Sequence, residues 1–229
     1  MTRRFDAVLF DAGGVLLLPD PHVFGPLLAY YGGDPSVDAH RRAHYAGMAA
    51  KASVDAAEGE WGHYNHAYFD AIGVPPAERV AASDVFERTR GARLWRWVIP
   101  ETRAALDRFA AAAFPMGVVS NAYGQIEEVL AREVCQVGPG DHVDVRCIVD
   151  SHLVGIAKPD PTIFDHALPY FAEFDPARIA YVGDSVTMDV VAAAGAGLHP
   201  ILIDPYGDHD GADFERIASV DALADELVA

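Results

Sequence analysis

The stretch Ala7-Val8-Leu9-Phe10-Asp11-Ala12-Gly13-Gly14-Val15 contains the first regular element of the chain. Its four apolar residues, Ala7–Phe10, stand between charged residues, which predicts a short strand buried in a parallel sheet. Asp11 then places a carboxylate at the carboxyl end of this strand, and Gly13 and Gly14 allow the following turn to approach a ligand closely. Because open parallel sheets bind ligands at the carboxyl ends of their strands, Asp11 is a candidate catalytic residue.

Apolar runs and helical segments alternate along most of the remaining sequence. Further strands are predicted at Met116–Ser120, Arg146–Val149, Ile179–Val182 and His199–Ile203. Helices are predicted at Glu101–Ala112, Gln125–Glu133, Pro161–Phe171, Thr187–Ala194 and near Ser219–Leu227. The alternation predicts a doubly wound parallel α/β sheet built from residues 1–16 and 96–229. Residues 17–95 are rich in Ala, His, Arg and aromatics without strand alternation, and we expect them to form an inserted helical cap.

Three more stretches place polar groups beside predicted strands or helices. They are Val119-Ser120-Asn121, Lys158-Pro159-Asp160-Pro161, and Val182-Gly183-Asp184-Ser185-Val186-Thr187-Met188-Asp189. Asp11 and Asp184 supply the carboxylate oxygens that Mg²⁺ prefers, whereas Asp189 either joins them or stabilises the first turn of a helix. Lys158 is one of two lysines in the chain, and an ammonium among carboxylates would stabilise a transferring phosphoryl group.

Taken in this order, the four stretches resemble the haloacid dehalogenase-like hydrolase superfamily over roughly residues 5 to 205. The resemblance implies a Rossmann-like core with a helical cap, and a Mg²⁺-dependent phosphatase of a small phosphorylated metabolite that forms an aspartyl-phosphate on Asp11. It also implies Lys158 as a catalytic and phosphate-binding residue. The other implied phosphate-binding residues are Gly14, Ser120 and Asn121, although Ser120 and Asn121 equally suit a helix cap. The implied metal ligands are Asp11, the carbonyl of Gly13, Asp184 and Asp189.

Gly13 departs from the superfamily pattern, because phosphatases of the superfamily usually carry a second Asp there as the general acid and base. Three explanations remain open. The substrate has a leaving group that needs little protonation, such as an acyl phosphate or an anomeric sugar phosphate. Another residue, such as Asp20, His22 or a cap histidine, supplies the proton. Finally, the protein is not an ordinary phosphatase.

The last explanation has two forms within the superfamily. Haloacid dehalogenases also lack the second Asp, but they need no metal and lack the Asp of the fourth stretch, so Asp184 argues against them. Phosphonoacetaldehyde hydrolases use a cap lysine as a Schiff base, for which Lys51 is the candidate. A rival of a different class is a catalytically silent homologue that binds a phosphometabolite or a protein partner.

The cap contains a cluster of aromatic and histidine side chains between Trp61 and Tyr68. Such a cluster suits a polar pocket, the interior of the cap or a dimer interface, and the sequence does not decide among them. His63 and His66 have the spacing of metal ligands, but two histidines without further ligands indicate a metal only weakly.

Composition excludes several classes of partner. The net charge of −17 disfavours nucleic acids and anionic membranes. No apolar run approaches the ~20 residues of a membrane span. Met1–Arg4 lead directly into the first strand, which leaves no room for a signal peptide, so we expect a cytoplasmic protein with reduced Cys135 and Cys147. A monomer or a homodimer fits this sequence equally well.

Overall fold

The structure is a computed structural model that describes residues 3–228. Its strands are β1 (Ala7–Phe10), β2 (Leu17–Pro19), β3 (Trp95–Val98), β4 (Met116–Ser120), β5 (Cys135–Val137), β6 (Val143–Val145), β7 (Ile148–Asp150), β8 (Ile179–Gly183), β9 (His199–Ile203) and β10 (Glu215–Ile217). Its α-helices are α1 (Pro21–Ala29), α2 (Val37–Ala52), α3 (Gly62–Ile72), α4 (Arg79–Thr89), α5 (Pro100–Ala111), α6 (Ile126–Glu133), α7 (Ser151–Val154), α8 (Val191–Gly195) and α9 (Val220–Val228).

The main sheet has six strands in the order β10-β9-β8-β1-β4-β7, and the neighbouring strands are parallel. The doubly wound parallel α/β sheet predicted from the sequence is therefore confirmed. Phe10 of β1 is in register with Val118 of β4 on one side and with Val182 of β8 on the other. This register brings the carboxyl ends of the three strands to one level, where the order of the strands reverses.

Two predicted helices differ in form from the expectation. The segment predicted as one helix over Pro161–Phe171 consists of two 3₁₀ turns, Pro161–His166 and Leu168–Phe171. Pro169 explains the break, because proline has no N–H to donate and its ring clashes with the preceding turn. The predicted helix at Thr187–Ala194 starts as a π-helical turn, Val186–Val190, and continues as α8. Turns of this kind are frequent at functional sites.

The chain forms two compact units. One comprises residues 1–16, 98–205 and 211–229, and contains the six-stranded sheet. Its largest buried side chains include Phe10, Phe109, Phe164 and Tyr181. The short ribbon of β5 and β6 in this unit was not predicted, because three-residue strands carry too little alternation to detect. Helices α5 and α9 are joined by Arg108, which pairs with Asp221 and Asp225.

The second unit comprises Leu17–Trp97 together with Tyr206–Asp210, and we call it the cap. Helices α1–α4 form its interior, and β2 pairs with β3 in a ribbon that the sequence analysis did not anticipate. The segment Tyr206–Asp210, which the sequence analysis included in the core, is bound to α2. Both terminal nitrogens of Arg42 donate to the Asp208 carboxylate at 2.7 Å, and its guanidinium lies 4.8 Å from the ring centre of Tyr206.

The Trp61–Tyr68 cluster divides between the cap interior and the surface. Tyr64 and Tyr68 are buried on one face of α3, where their hydroxyls bond the Nδ1 atoms of His44 and His40 at 2.9 and 2.6 Å. His63 and His66 are exposed on the same helix. The buried tyrosines thus belong to the hydrophobic core of the cap. Within residues 3–228, no helix is both long enough and apolar enough to cross a membrane.

Candidate active site

Polar side chains converge at the carboxyl ends of β1, β4 and β8. Asp11 directly follows β1, Ser120 ends β4, and Asp184 directly follows β8. The side-chain hydroxyl of Ser120 hydrogen-bonds the Asp11 carboxylate. All three residues are buried, so the sheet assembles these groups away from bulk water.

Asp11 is a buried carboxylate in a crowded, charged environment. Its Oδ1 accepts the N–H of Ala12 at 2.7 Å and lies 3.1 Å from the Nζ atom of Lys158. The pKa of Asp11 is raised to about 7 overall: burial is the largest cause, the carboxylates of Asp189 and Asp184 add to the rise, and Lys158 opposes it. A second positive charge at this position would therefore favour the ionised form of Asp11.

Lys158 lies at the centre of the cluster and is almost completely buried. Its ammonium donates to Asp189 Oδ1 at 2.6 Å and to the Tyr181 hydroxyl at 2.8 Å, in addition to its contact with Asp11. Burial alone disfavours the ammonium, but the carboxylates of Asp11 and Asp189 outweigh burial and raise the pKa of Lys158 above its ordinary value. Lys158 therefore stays charged at neutral pH.

Three carboxylates are close enough to share a metal ion. One oxygen atom from each of Asp11, Asp184 and Asp189 lies within 4.8 Å of the other two. Mg²⁺ prefers oxygen ligands of this type, and a divalent cation would reduce the repulsion that keeps the Asp11 pKa high. The donor set therefore fits Mg²⁺. Gly13, whose carbonyl is the further predicted ligand, lies half-buried in the loop after β1.

Asp189 already has hydrogen-bond donors at both carboxylate oxygens. Lys158 and Tyr181 donate to Oδ1, at 2.6 and 3.0 Å, while the backbone N–H groups of Asp184 and Ser185 donate to Oδ2, at 3.1 and 2.9 Å. These four bonds orient both Lys158 and the backbone that carries Asp184. They favour an orienting role for Asp189 over direct metal binding, because a metal ion would have to replace some of these donors.

Two glycines are required by the close packing of these carboxylates. Gly14 has a φ of +68°, and a Cβ atom there would lie 1.9 Å from Oδ2 of Asp184. A Cβ atom on Gly183 would lie 2.2 Å from Cγ of Asp189. Any other residue at these two positions would displace a carboxylate of the cluster. The predicted phosphate-binding residue Gly14 therefore also determines the position of Asp184.

Asn121 contacts the backbone of Lys158. Its Oδ1 accepts the Lys158 N–H at 2.8 Å, and its Nδ2 donates to the Lys158 carbonyl at 2.9 Å. The Lys158–Pro159 peptide bond is cis. Asn121 is therefore linked to the site through Lys158, and its expected contact with phosphate stays a prediction.

Tyr181, which was not among the predicted site residues, is fully buried in the middle of β8. Its hydroxyl accepts a hydrogen bond from the Lys158 ammonium and lies 3.0 Å from both Asp189 Oδ1 and the Val119 carbonyl. Burial and the nearby Asp189 and Asp11 carboxylates raise the pKa of Tyr181 well above its ordinary value, so the phenol stays neutral. The available signal was a tyrosine inside an apolar strand, since a buried phenol usually has a polar partner.

The alternative proton donors named from the sequence belong to the cap, where each has partners of its own. The Asp20 carboxylate accepts a hydrogen bond from Nε of Arg96 at 2.9 Å and another from the backbone N–H of His22 at 3.0 Å. Burial raises the pKa of Asp20, but the bonds from Arg96 and His22 outweigh it and lower the pKa overall. His22 has 69% of its side chain exposed and pairs with Asp20. Burial lowers the pKa of His40 to about 4, so its imidazole is neutral at pH 7.

Lys51, the candidate Schiff-base lysine, is buried in the cap. Its Nζ donates to the carbonyl of Glu58 at 2.8 Å and lies 4.1 Å from the centre of the Trp61 ring. An ammonium over an indole face is attracted by the ring electrons. These contacts favour a structural role for Lys51, since a Schiff base requires an accessible amine.

Sequence comparisons detect relatives over much of the chain. The profile of the haloacid dehalogenase-like hydrolase family matches residues 5–197. "Haloacid dehalogenase-like hydrolase domain-containing protein 3" of Bos taurus is 31% identical over 137 residues, which are 59% of this chain and 51% of the relative. "Pyrimidine 5'-nucleotidase YjjG" of Escherichia coli (strain K12) is 32% identical over 83 residues, 36% of this chain and 35% of the relative. The chain therefore spans about half the length of these curated relatives or less.

Solved structures with the same fold include both phosphatases and dehalogenases. A HAD phosphatase from Thermococcus onnurineus superposes with a TM-score of 0.55 at 19% identity, over 98% of this chain and 100% of that one. A 2-haloacid dehalogenase from Pseudomonas syringae pv. Tomato DC3000 gives 0.54 at 22% identity, over 96% and 97%. At these identities the similarity establishes the fold alone.

Proposed function

Because the chain belongs to the haloacid dehalogenase-like hydrolase family, we propose that it is a Mg²⁺-dependent phosphatase that hydrolyses a small phosphorylated metabolite through an aspartyl-phosphate on Asp11. One observation carries the proposal: the buried Asp11 carboxylate lies 3.1 Å from the ammonium of Lys158 and shares a 4.8 Å cluster with Asp184 and Asp189. A nucleophile, a fixed positive charge and metal-binding oxygens are the groups that phosphoryl transfer requires.

The metal would be held by Asp11 and Asp184, with the carbonyl of Gly13 as a further ligand. When bound, Mg²⁺ supplies positive charge that offsets the carboxylates and the phosphoryl oxygens and orients them for in-line attack. This arrangement accounts for three carboxylates buried beside one lysine, which without a cation would leave excess negative charge in the protein interior.

The reaction itself is assigned to residues of the chain. A carboxylate oxygen of Asp11 attacks phosphorus, and the bond from phosphorus to the leaving-group oxygen breaks with its electrons on that oxygen. Lys158 stabilises the negative charge on the transferring group, and the Ser120 hydroxyl donates a hydrogen bond to it. Water then attacks the phosphorus of the aspartyl-phosphate, which releases inorganic phosphate and restores the Asp11 carboxylate.

The glycine at position 13 restricts the substrate class. No carboxylate is present there to protonate a leaving alkoxide, and the cap residues Asp20 and His40 are held in forms that donate a proton poorly. We therefore expect phosphate esters or anhydrides whose leaving groups depart without an acid, such as acyl phosphates and anomeric sugar phosphates. A relative that is named a pyrimidine 5'-nucleotidase makes nucleoside monophosphates the natural comparison substrates.

A dehalogenase is the second candidate function. It is favoured by the absence of a carboxylate at Gly13 and by the fold shared with a 2-haloacid dehalogenase. It is disfavoured by Asp184, because carbon attack by Asp11 has no need of a second buried carboxylate that raises the pKa of the nucleophile. The phosphatase explains more of the site.

One set of assays separates these possibilities. Purified protein is incubated with a panel of phosphorylated metabolites in Mg²⁺, in EDTA and in EDTA followed by excess Mg²⁺, and released phosphate is measured. The phosphatase predicts turnover that disappears in EDTA and returns with Mg²⁺. Full activity in EDTA contradicts it. Halide release from a 2-haloacid in EDTA supports the dehalogenase, and phosphometabolite binding without any turnover supports the silent homologue.

The phosphonoacetaldehyde hydrolase alternative has its own test. Borohydride is added in the presence of phosphonoacetaldehyde, and mass spectrometry measures any reduced adduct on Lys51. We expect none, because the Lys51 ammonium is buried against Trp61 and bonded to the Glu58 carbonyl. An adduct on Lys51 that inactivates the enzyme would establish carbon–phosphorus cleavage instead.

A further inference from the structure

Lys158 is held at both ends by two residues that the reaction does not consume. Asn121 bonds its backbone, and Tyr181 bonds its ammonium. We infer that Asn121 and Tyr181 are positioning residues that together fix Lys158 where it meets Asp11. The kinetic consequence of this inference rests on the proposed phosphatase function, whereas the geometry does not.

Asn121 uses both polar ends of its amide on one residue. Oδ1 accepts the Lys158 N–H at 2.8 Å and Nδ2 donates to the Lys158 carbonyl at 2.9 Å. The side-chain amide therefore bonds both backbone polar groups of Lys158, as a paired strand would. The backbone groups also determine the orientation of the amide, because an N–H needs an acceptor and a carbonyl needs a donor. Asn121 directly follows Ser120, and the two bonds therefore tie the Lys158 loop to the strand that delivers the hydroxyl.

Tyr181 completes the partners of the ammonium. Lys158 has three N–H donors, and its three acceptors are Asp11 Oδ1 at 3.1 Å, Asp189 Oδ1 at 2.6 Å and the Tyr181 hydroxyl at 2.8 Å. The phenol ring is fixed by its position in β8 and by an edge-on contact with Phe164, with ring centres 4.8 Å apart. Tyr181 thus presents a neutral acceptor at a fixed point, which directs the other two N–H donors of Lys158 toward the carboxylates of Asp11 and Asp189.

The bonds from Asn121 and from Tyr181, the two anchors of Lys158, are both needed because a lysine side chain is long and rotates freely. Fixing the backbone alone leaves the four-carbon stem mobile, and fixing the ammonium alone leaves the loop free to shift. A small displacement of a charged group is costly for catalysis, since its effect depends on alignment with the transferring group. The two anchors therefore address different movements of the same residue.

The direct test measures the exposure of Lys158 by acylation. The folded protein reacts briefly with an amine-acylating reagent, and mass spectrometry measures the acylated fraction of each lysine. Because the sequence contains only two lysines, labelling of Lys51 serves as the internal reference for labelling of Lys158. Asn121→Ala and Tyr181→Phe should each raise the ratio of Lys158 to Lys51 labelling by about 10-fold, because each removes hydrogen bonds that hold Lys158 closed. Global destabilisation would raise labelling of both lysines and leave the ratio unchanged.

Matched controls distinguish positioning from nonspecific effects. Gln125→Ala removes a side-chain amide from the same loop, where its oxygen accepts a hydrogen bond from the nearby Tyr123 N–H at 3.0 Å. Tyr170→Phe removes a hydroxyl from an exposed tyrosine. Neither should change the labelling ratio. An unchanged ratio in both Asn121→Ala and Tyr181→Phe, with the proteins folded, overturns the inference.

A second measurement tests whether Asn121 acts through Lys158 or contacts phosphate itself. The affinity for inorganic phosphate in Mg²⁺ is measured for the parent, Asn121→Ala, Lys158→Met and the double variant. Asn121→Ala should weaken binding about 3- to 10-fold in the parent and add no further loss to Lys158→Met. If the two single losses of phosphate affinity instead multiply in the double variant, Asn121 contacts phosphate itself and its positioning role is overturned. Failure of the parent to bind phosphate would instead count against the proposed function, while the labelling ratio still decides the positions of Asn121 and Tyr181.

Discussion

The active-site end of the sheet and the interior of the cap both bury ionisable side chains, but they do so in opposite ways. At the sheet, Asp11, Asp184 and Asp189 lie close together, the ammonium of Lys158 contacts Asp11 and Asp189, and the repulsion among the carboxylates contributes to an Asp11 pKa of about 7. Such clustering costs folding free energy and is typical of sites where charge performs chemistry.

In the cap the buried polar groups pair with hydroxyls and aromatic rings. His40 bonds Tyr68, His44 bonds Tyr64, and the Lys51 ammonium lies over an indole ring. The Arg90 guanidinium lies 4.3 Å from the centre of the same indole ring, but no Asp or Glu is buried among the described residues of the cap. The comparison teaches that burial alone does not identify function; a cluster of buried, mutually repelling carboxylates does so better.

The largest effect should come from removing the nucleophile. Asp11→Asn keeps the size of the side chain but cannot form an acyl phosphate, so phosphate release should fall by at least about 10⁴-fold while the fold is retained. Asp6→Asn is the matched control, because Asp6 lies near the opposite end of β1 and pairs with Arg178. Equal activity losses in the two variants would show that the two ends of β1 do not differ as proposed.

A smaller effect is expected from weakening the metal site. Asp184→Asn removes one charged oxygen from the cluster, and the Mg²⁺ concentration for half-maximal activation should rise by about 10- to 100-fold. Asp204→Asn serves as the control, since Asp204 is also a buried carboxylate just after a strand of this sheet but pairs with Arg216 at 2.8 Å. Titration of activity with Mg²⁺ measures both variants. An unchanged requirement in Asp184→Asn would remove Asp184 from the metal site.

Adding a carboxylate at position 13 should increase catalytic activity. Gly13→Asp supplies a carboxylate where the superfamily usually has its acid and base, and turnover of alkyl phosphates should rise by up to ~10²-fold. Acyl phosphates should gain less, because their leaving groups need little protonation. Parallel assays of both substrate classes measure the difference. Similar parent rates on both classes, with no gain in the folded variant, would indicate that another residue already donates the proton.

Much of the sheet was predictable because short apolar runs flanked by charges are strong signals. β1, β4 and β9 have the predicted bounds, and β8 is one residue longer than predicted. The expected strand Arg146–Val149 instead runs from Ile148 to Asp150. Its boundary moved because pairing with β4, which aligns Ser120 with Asp150, sets its end more strongly than local hydrophobicity does.

The contacts that Asn121 and Tyr181 make with Lys158 were not predictable from the sequence. The resemblance implied that Asn121 binds phosphate, which stays a prediction, whereas its bonds to Lys158 depend on a loop 37 residues away. Tyr181 gave one signal, a tyrosine inside an apolar strand, but nothing local indicated Lys158 as its partner. The attachment of Asp208 to Arg42, across 166 residues, likewise left no local signal. Contacts of this range are decided by tertiary packing rather than by periodicity.

The cap should lose stability in acid because of one buried histidine. His40 is buried and bonded to Tyr68, and its other ring nitrogen, Nε2, is buried without a hydrogen-bond partner among residues 3–228. Burial lowers its pKa to about 4, and the nearby Asp34 only partly opposes this effect; Arg41 is the adjacent charged residue on the helix. In the unfolded chain the pKa is about 6.5. The unfolded state therefore binds a proton that the folded state excludes.

It follows that the cap is most stable when His40 is neutral in both states, above pH 6.5, and loses stability as the pH falls from there toward 4. The full shift corresponds to about 3 kcal/mol, as an upper limit. His40→Asn removes the titration but retains a polar group near Tyr68, so its unfolding free energy should depend less on pH. His63→Asn, on the exposed face of α3, should keep the parent's dependence of unfolding free energy on pH.

Urea unfolding followed by tryptophan fluorescence measures the unfolding free energy of the cap at each pH, because Trp61, Trp95 and Trp97 all lie there. The same slope in His40→Asn as in the parent would show that a different group controls acid sensitivity, and the His40–Tyr68 pair would then contribute less to the contrast with the sheet.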